Sequence, residues 1–160
     1  MIRLVEMDET NFFAARTLSL REDQRQFLDS PLGILARGYA YRAHRARVMA
    51  IAEGETIVGL LLVKDMDEAP ACYDLQQFMI DQHHQGRGYG KAALGLVLDE
   101  LRREGKYADA EVCVHRNNDA ALALFAGAGF LDTGYVDPDA PDCLNLMCRL
   151  QLPEPLALRP

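Results

Sequence analysis

The chain has 160 residues, 49% hydrophobic and 26% charged, an ordinary balance for one packed domain and a short length for two. No apolar run approaches the roughly 18 residues that cross a bilayer, and a net charge of −7 argues against nucleic acid, which wants a basic stripe. The opening MIRLVEMDETN is acidic and strand-like with no secretory signal, so the cytosol is the expected compartment, with no membrane partner.

In chain order, Ile2 to Glu6 reads as a strand. Asp8 or Thr10 is placed to cap a helix over Phe12 to Leu18. Ser30-Pro31 opens a second helical stretch, with Pro tolerated in the first turn. Arg47 to Ala52 and Thr56 to Val63 are β-prone and separated by Glu53-Gly54-Glu55, a hairpin signal. Asp65 to Pro70 reads as a polar turn and Cys72 to Ile80 as the next strand. Ala92, Leu94, Val97, Leu98 and Leu101 then make an apolar stripe at helical spacing, running to about Arg103. Ala110 to His115 is a strand and Asn118 to Gly127 a short helix stopped by Gly129. Phe130 to Val136 and Leu144 to Leu150 close the sheet.

This order predicts an α+β fold with a mixed parallel and antiparallel sheet of about seven strands and about four helices. The unit from Leu75 to His115 is expected to be a parallel crossover. Residues 1–150 are expected to form the single domain and residues 151–160 a C-terminal tail.

The most informative stretch is QHHQGRGYGKAAL, Gln82 to Leu94. It joins a strand to a helix and carries Gly86, Gly88 and Gly90, with Arg87 and Lys91 among them. A helix start offers unpaired N–H groups and a partial positive charge, so the stretch reads as a cradle for an anion, most simply phosphate. It is not a Walker loop: Ala92 follows Gly90-Lys91, and Gln85 stands where the first glycine belongs. Gly88, Gly90 and Ala93 match the dinucleotide pattern G-x-G-x-x-A, with Glu111 at a suitable distance. However, six mostly polar residues separate Asp81 from Gly88, where that fingerprint runs from strand straight into turn.

The four cysteines, Cys72, Cys113, Cys143 and Cys148, have no C-x-x-C spacing and read as buried free thiols. The adjacent His83 and His84 do not resemble a metal site, and no metal is expected. Acidic residues concentrate at Asp65, Asp67 and Glu68, and again at Asp132, Asp137, Asp139 and Asp142. Such clusters are either solvated loops or attractors of a cationic substrate.

Two motifs resemble the GNAT superfamily of acyl-CoA-dependent N-acyltransferases. Gln85-Gly86-Arg87-Gly88-Tyr89-Gly90 is similar to its Q/R-x-x-G-x-G/A loop. NDAALALFAGAGF, Asn118 to Phe130, is similar to its N-x-x-A-x-x-L-Y-x-x-x-G-F segment. Their order, with one helix and one strand between them, strengthens both. LQQFMIDQHHQGRGYG further resembles sequences of the spermine/spermidine acetyltransferase branch, as, more loosely, does the N-terminal region with Gln24.

The resemblance implies acetyl-CoA as cosubstrate and a primary amine as acceptor, with a homodimer as an analogy to relatives. It implies that Gln85, Gly86, Arg87, Gly88, Tyr89, Gly90 and Lys91 hold the donor's diphosphate. Phe78, Met79 and Ile80 would pair with its pantetheine, and the Met79 backbone amide would polarise the acetyl carbonyl. Asn118 contacts the coenzyme or caps its helix, and Phe125 packs or borders the coenzyme. Phe125 departs from the family pattern, since relatives carry a Tyr there as proton donor; Tyr135, Tyr89 and His115 are the substitutes. The glutamate used as base by some relatives falls at Cys113, which leaves Glu111, Asp74 and Asp81 as candidates. No Cys–His pair is evident from spacing, so direct attack by the amine is the expected route. The leading acceptor is a small cationic amine such as spermidine or spermine. A protein N-terminus or lysine, or a coenzyme-binding module without turnover, are the alternatives.

Overall fold

Alternation along the central strands sorts their side chains to two faces, and each face finds its own helices. The computed structural model describes residues 1–150. Its strands are β1 (Ile2–Glu6), β2 (Arg47–Glu53), β3 (Thr56–Met66), β4 (Cys72–Ile80), β5 (Asp109–His115), β6 (Leu131–Asp132) and β7 (Cys143–Arg149). They form one sheet in the order β1-β2-β3-β4-β5-β7-β6. The β4–β5 pair is parallel and the other pairs are antiparallel. The helices are α1 (Phe12–Arg16), α2 (Pro31–Ala40), α3 (Tyr89–Glu104) and α4 (Asp119–Gly127). The α+β class, the strand number and the helix number are as the sequence predicts. The expected tail, residues 151–160, lies outside the described residues.

Leu61, Val63, Tyr73 and Leu75 pack with Leu94, Val97, Leu98 and Leu101 of α3 and with Phe125 of α4. Leu60 and Leu62, from the alternate positions of β3, pack with Ala15 of α1 and Ile34 of α2, joined by Met79, which a one-residue register shift between β3 and β4 turns to this face. Each such side chain contributes about 1.5–3 kcal/mol when fully buried. Truncating Leu94 to Ala, at the centre of the larger cluster, would cost about 2–5 kcal/mol. α2 begins as the sequence indicates, with Ser30 Oγ accepting from Gly33 N at 3.1 Å and Pro31 in the first turn. α3 ends because Gly105, at φ 65°, turns its N–H back to Leu101 O.

Five expectations are corrected. Neither Asp8 nor Thr10 caps α1: Asn11 holds that position, and Asp8 instead accepts from the Thr10 backbone and hydroxyl. The helix stops at Arg16, two residues early. The strand from Phe130 shrinks to Leu131–Asp132, because Gly134 turns at φ 76° with its N–H on Asp132 Oδ1. Asp65 is no turn residue: β3 runs to Met66, and Asp65 is buried against Lys106 and Arg45, while Asp67 accepts from the Tyr107 hydroxyl. Asp65 and Asp67 are thus engaged within the protein, while Glu68 is exposed. Cys72 and Cys148 are buried, but Cys143 is half-buried and Cys113 exposed, since it faces outward on β5.

Candidate active site

β4 and β5 pair only at Tyr73–Ala110 and Asp74–Glu111. Beyond Asp74 the two strands part, and the β4 edge from about Phe78 to Ile80 is open. Asp81 N donates to Val58 O on β3 at 2.8 Å. Backbone groups alternate sides along a strand, so those of Met79 also face β3, whereas those of Phe78 and Ile80 face the gap. A Cβ built on Gly59 of β3 would lie 2.3 Å from the Met79 carbonyl, in agreement. The Met79 amide is therefore committed to the sheet, and the amides that serve the open edge belong to Phe78 and Ile80. The family resemblance pointed to this segment but to an amide one residue away, which reverses the side.

A cavity of about 380 Å³ fills the gap. Phe78, Met79 and Ile80 line one wall, and Asn118, Ala120, Ala121 and Leu124 another. Asn118 caps α4, its Oδ1 accepting from Ala121 N at 3.3 Å, and it also lines the cavity. Gln85, Gly86, Gly88, Tyr89 and Gly90 close the cavity's head. The remaining wall comes from Leu20, Arg21, Gln24, Phe27 and Leu28. Of these only Gln24 was marked by the sequence; the segment has no motif and a single 3-10 turn at Glu22–Gln24.

The glycine loop is anchored at both ends. His83 N and His84 N donate to Asp81, and Ala92 N donates to Gly88 O. Between them, among the described residues, none of the seven backbone amides from Gln85 to Lys91 donates a hydrogen bond to a protein group. Gly86 at φ 75° and Gly88 at φ 79° shape the turn in the left-handed region that glycine favours. Unpaired amides at the start of a sixteen-residue helix form an anion cradle with the helix dipole behind them. Arg87 and Lys91 are exposed; Lys91 lies on the outer side of α3 and does not line this cavity.

Below the gap lie the carboxylates. Glu111, Cys113 and His115 share one face of β5, and Ala110, Val112 and Val114 fill the core on the other. Glu111 accepts from Asn145 Nδ2 at 3.2 Å. Asp74 pairs with Lys64 at 3.4 Å and accepts from Gln76 at 3.1 Å. Burial pushes the Asp74 carboxyl above the usual range against the pull of Lys64. Burial likewise raises Glu111, with the charge of Asp74 adding and the Asn145 bond opposing. Asp81, by contrast, is buried and accepts from Ser19 N and His83 N, so it is a structural carboxylate.

The register also places His115 opposite Cys143, a pairing that spacing could not show. His115 Nδ1 accepts from Asn117 N at 3.1 Å, and its ring lies 5.2 Å from that of Phe27. The Cys113 thiol on this face is pushed up to about 12, by burial first and then by Cys143 and nearby carboxylates, so it makes no effective nucleophile. Asp74, Glu111 and His115 do not line the cavity, and neither do Tyr135 and Phe125. Tyr135 is exposed on the loop after β6. Phe125 is buried, edge-on to Phe78 and Phe130, and reaches the cavity only through Phe78.

The family described as Acetyltransferase (GNAT) family matches this chain over residues 4–130. Over 82 residues the chain is 34% identical to the N-alpha-acetyltransferase RimI of Mycobacterium tuberculosis, covering 51% of this chain and 49% of that protein. Over 84 residues it is 31% identical to a protein of Bacillus subtilis subsp. natto named "Probable spermine N(1)-acetyltransferase", covering 52% and 55%. The chain thus spans about half the length of the curated relatives it matches. Its fold matches the crystal structure of spermidine N-acetyltransferase from Vibrio cholerae in complex with CoA and spermine. That match has a TM-score of 0.72 and 13% identity and covers 93% of this chain and 95% of that one.

Proposed function

We propose that this chain, which belongs to the GNAT acetyltransferase family, transfers acetyl from acetyl-CoA to a primary amine of a small cationic acceptor such as a polyamine. The observation that carries this reading is the run of unpaired amides from Gln85 to Lys91, set at the head of an open strand edge. The amides accept the diphosphate, and the Phe78 and Ile80 backbone faces the arm that follows it. Bound there, acetyl-CoA supplies a thioester carbonyl, the electrophile of the reaction.

The chain's residues then have three tasks. An N–H of Phe78 or Ile80 holds the carbonyl oxygen as it gains charge. Glu111 and Asp74, at the base of the gap, attract the ammonium and take its proton, directly or through water. An alkyl ammonium of pKa near 10.4 is free base in about one molecule in 2,500 at pH 7, a cost of roughly 4–5 kcal/mol that such a base offsets. Phe125 offers no proton to the departing thiolate, and a thiol of pKa about 8.5 leaves without one near neutral pH. The amine attacks directly, and burial, which pushes the Cys113 thiol up, disfavours a covalent route through it.

A second reading, acetylation of a protein N-terminus, is favoured by the likeness to RimI. Thiol release from acetyl-CoA measured across spermidine, spermine, short diamines and N-terminal peptides separates the two. Turnover with polyamines and none with peptides supports the first; the reverse supports the second. Tight coenzyme binding without turnover on any amine indicates a binding module.

A further inference from the structure

The Gln85 side chain is fully occupied within the protein. Its Oε1 accepts from Gln24 Nε2 at 3.1 Å and Arg21 Nη1 at 3.2 Å. Its Nε2 donates to Gln24 Oε1 at 2.8 Å and Ile80 O at 2.9 Å. Two donors and two acceptor sites are all a side-chain amide has. The Ile80 carbonyl is the one that points into the gap, because the trans peptide sends the Asp81 N–H the opposite way, to β3. Gln85 therefore sits where the open strand edge, the amide cradle and the Arg21–Gln24 turn meet.

The same seam continues below. Ser19 N donates to Asp81 Oδ2 at 2.7 Å, Gln82 N to Ser19 O at 2.8 Å, and Gln82 Nε2 to Ser19 Oγ at 2.8 Å. The stretch so tied supplies Leu20, Phe27 and Leu28 to the cavity wall. It holds only a 3-10 turn, so its place is set by this seam and not by a helix of its own.

We infer that the reciprocal Gln24–Gln85 amide pair is a clasp that sets the Leu20–Leu28 wall against the pantetheine arm of the coenzyme, making Gln24 a positioning residue for the donor. This rests on the proposed use of acetyl-CoA. The clasp acts on the arm and not on the diphosphate, because the cradle's amides are backbone groups that Gln24 does not touch.

Titration calorimetry with two probes tests it: coenzyme A, and adenosine 3′-phosphate 5′-diphosphate, which keeps the diphosphate and lacks the arm. Gln24→Ala is expected to weaken coenzyme A about tenfold and the nucleotide less than about twofold. Gln24→Glu keeps one of the two bonds and is expected to lose an intermediate amount, which serves where the alanine variant melts early. Gln85→Ala combined with Gln24→Ala is expected to lose no more than Gln85→Ala alone, as for partners in one interaction. Equal losses for both probes, additive losses, or an unchanged coenzyme affinity overturn the clasp. A wild-type chain that binds neither probe overturns the coenzyme reading itself, and the role of Gln24 with it.

Discussion

Asp74 and Glu111 stand side by side on the last rung where β4 and β5 pair. Above that rung the strands part. The fork that opens the cavity therefore also places two half-buried carboxyl groups at its base, one on each tine. Burial raises both above the ordinary carboxylate range, which suits groups that must hold a cation and accept a proton near neutral pH.

Asp74→Asn and Glu111→Gln are expected to raise KM for a polyamine about tenfold or more while leaving the coenzyme Kd within about twofold. In the wild type the acid limb of kcat/KM lies above the usual carboxylate range, because a raised pKa keeps the base protonated to higher pH. Glu111→Gln moves that limb if Glu111 is the base. Steady-state kinetics from pH 5 to 9 decide it, and an unchanged limb in both variants removes these residues from proton transfer.

The same burial has a cost in stability. A carboxyl raised on folding binds its proton more tightly in the folded state, so stability falls as pH rises from the unfolded pKa through the folded one. Glu111→Gln removes this, since Asn145 and not a cation is its hydrogen-bonding neighbour. The variant is expected to melt above the wild type at pH 8 and to lose that advantage at pH 4. A gain that is larger at pH 4 contradicts the assignment.

The loop glycines differ in their tasks. Gly88, at φ 79°, is held where a side chain costs about 1–2 kcal/mol. A Cβ on Gly90 would meet Ile80, Leu124 and Phe78 at 3.7–3.8 Å, ordinary contact. Gly88→Ala is expected to weaken coenzyme A at least about tenfold, and Gly90→Ala to change it less than about twofold. Calorimetry on the pair checks this; equal losses contradict the cradle geometry.

Cys113 is exposed, yet its thiol is pushed up to about 12. At pH 8 its alkylation by iodoacetamide is expected to run about fiftyfold slower than that of a free cysteine, the lost thiolate fraction being partly offset by a more nucleophilic thiolate. Mass spectrometry of the labelled peptide reads the rate. Fast labelling would reopen a covalent route through this strand.

Elements built on strong periodicity were legible in the sequence. The stripe Leu94, Val97, Leu98, Leu101 marked α3, and the glycine run marked the loop that precedes it. What was not legible depends on partners distant in sequence. Asp65 read as a turn residue because its cations, Lys106 and Arg45, come from other elements. The Met79 amide was misassigned because pairing to β3, not residue type, decides which way it points. Leu20, Phe27 and Leu28 gave no signal, since a wall of apolar residues without a motif looks like any other core. The pairing of His115 with Cys143 needed the β5–β7 register.

The central claim is that the amides from Gln85 to Lys91 receive the coenzyme's diphosphate. Titrating the ¹⁵N-labelled chain with coenzyme A and following the backbone amide resonances tests it most directly. The account predicts large saturable shifts at Gly86, Gly88, Tyr89 and Gly90, with Phe78 and Ile80 responding along the strand edge. Saturable shifts confined to other parts of the chain, or none at millimolar coenzyme, would contradict it.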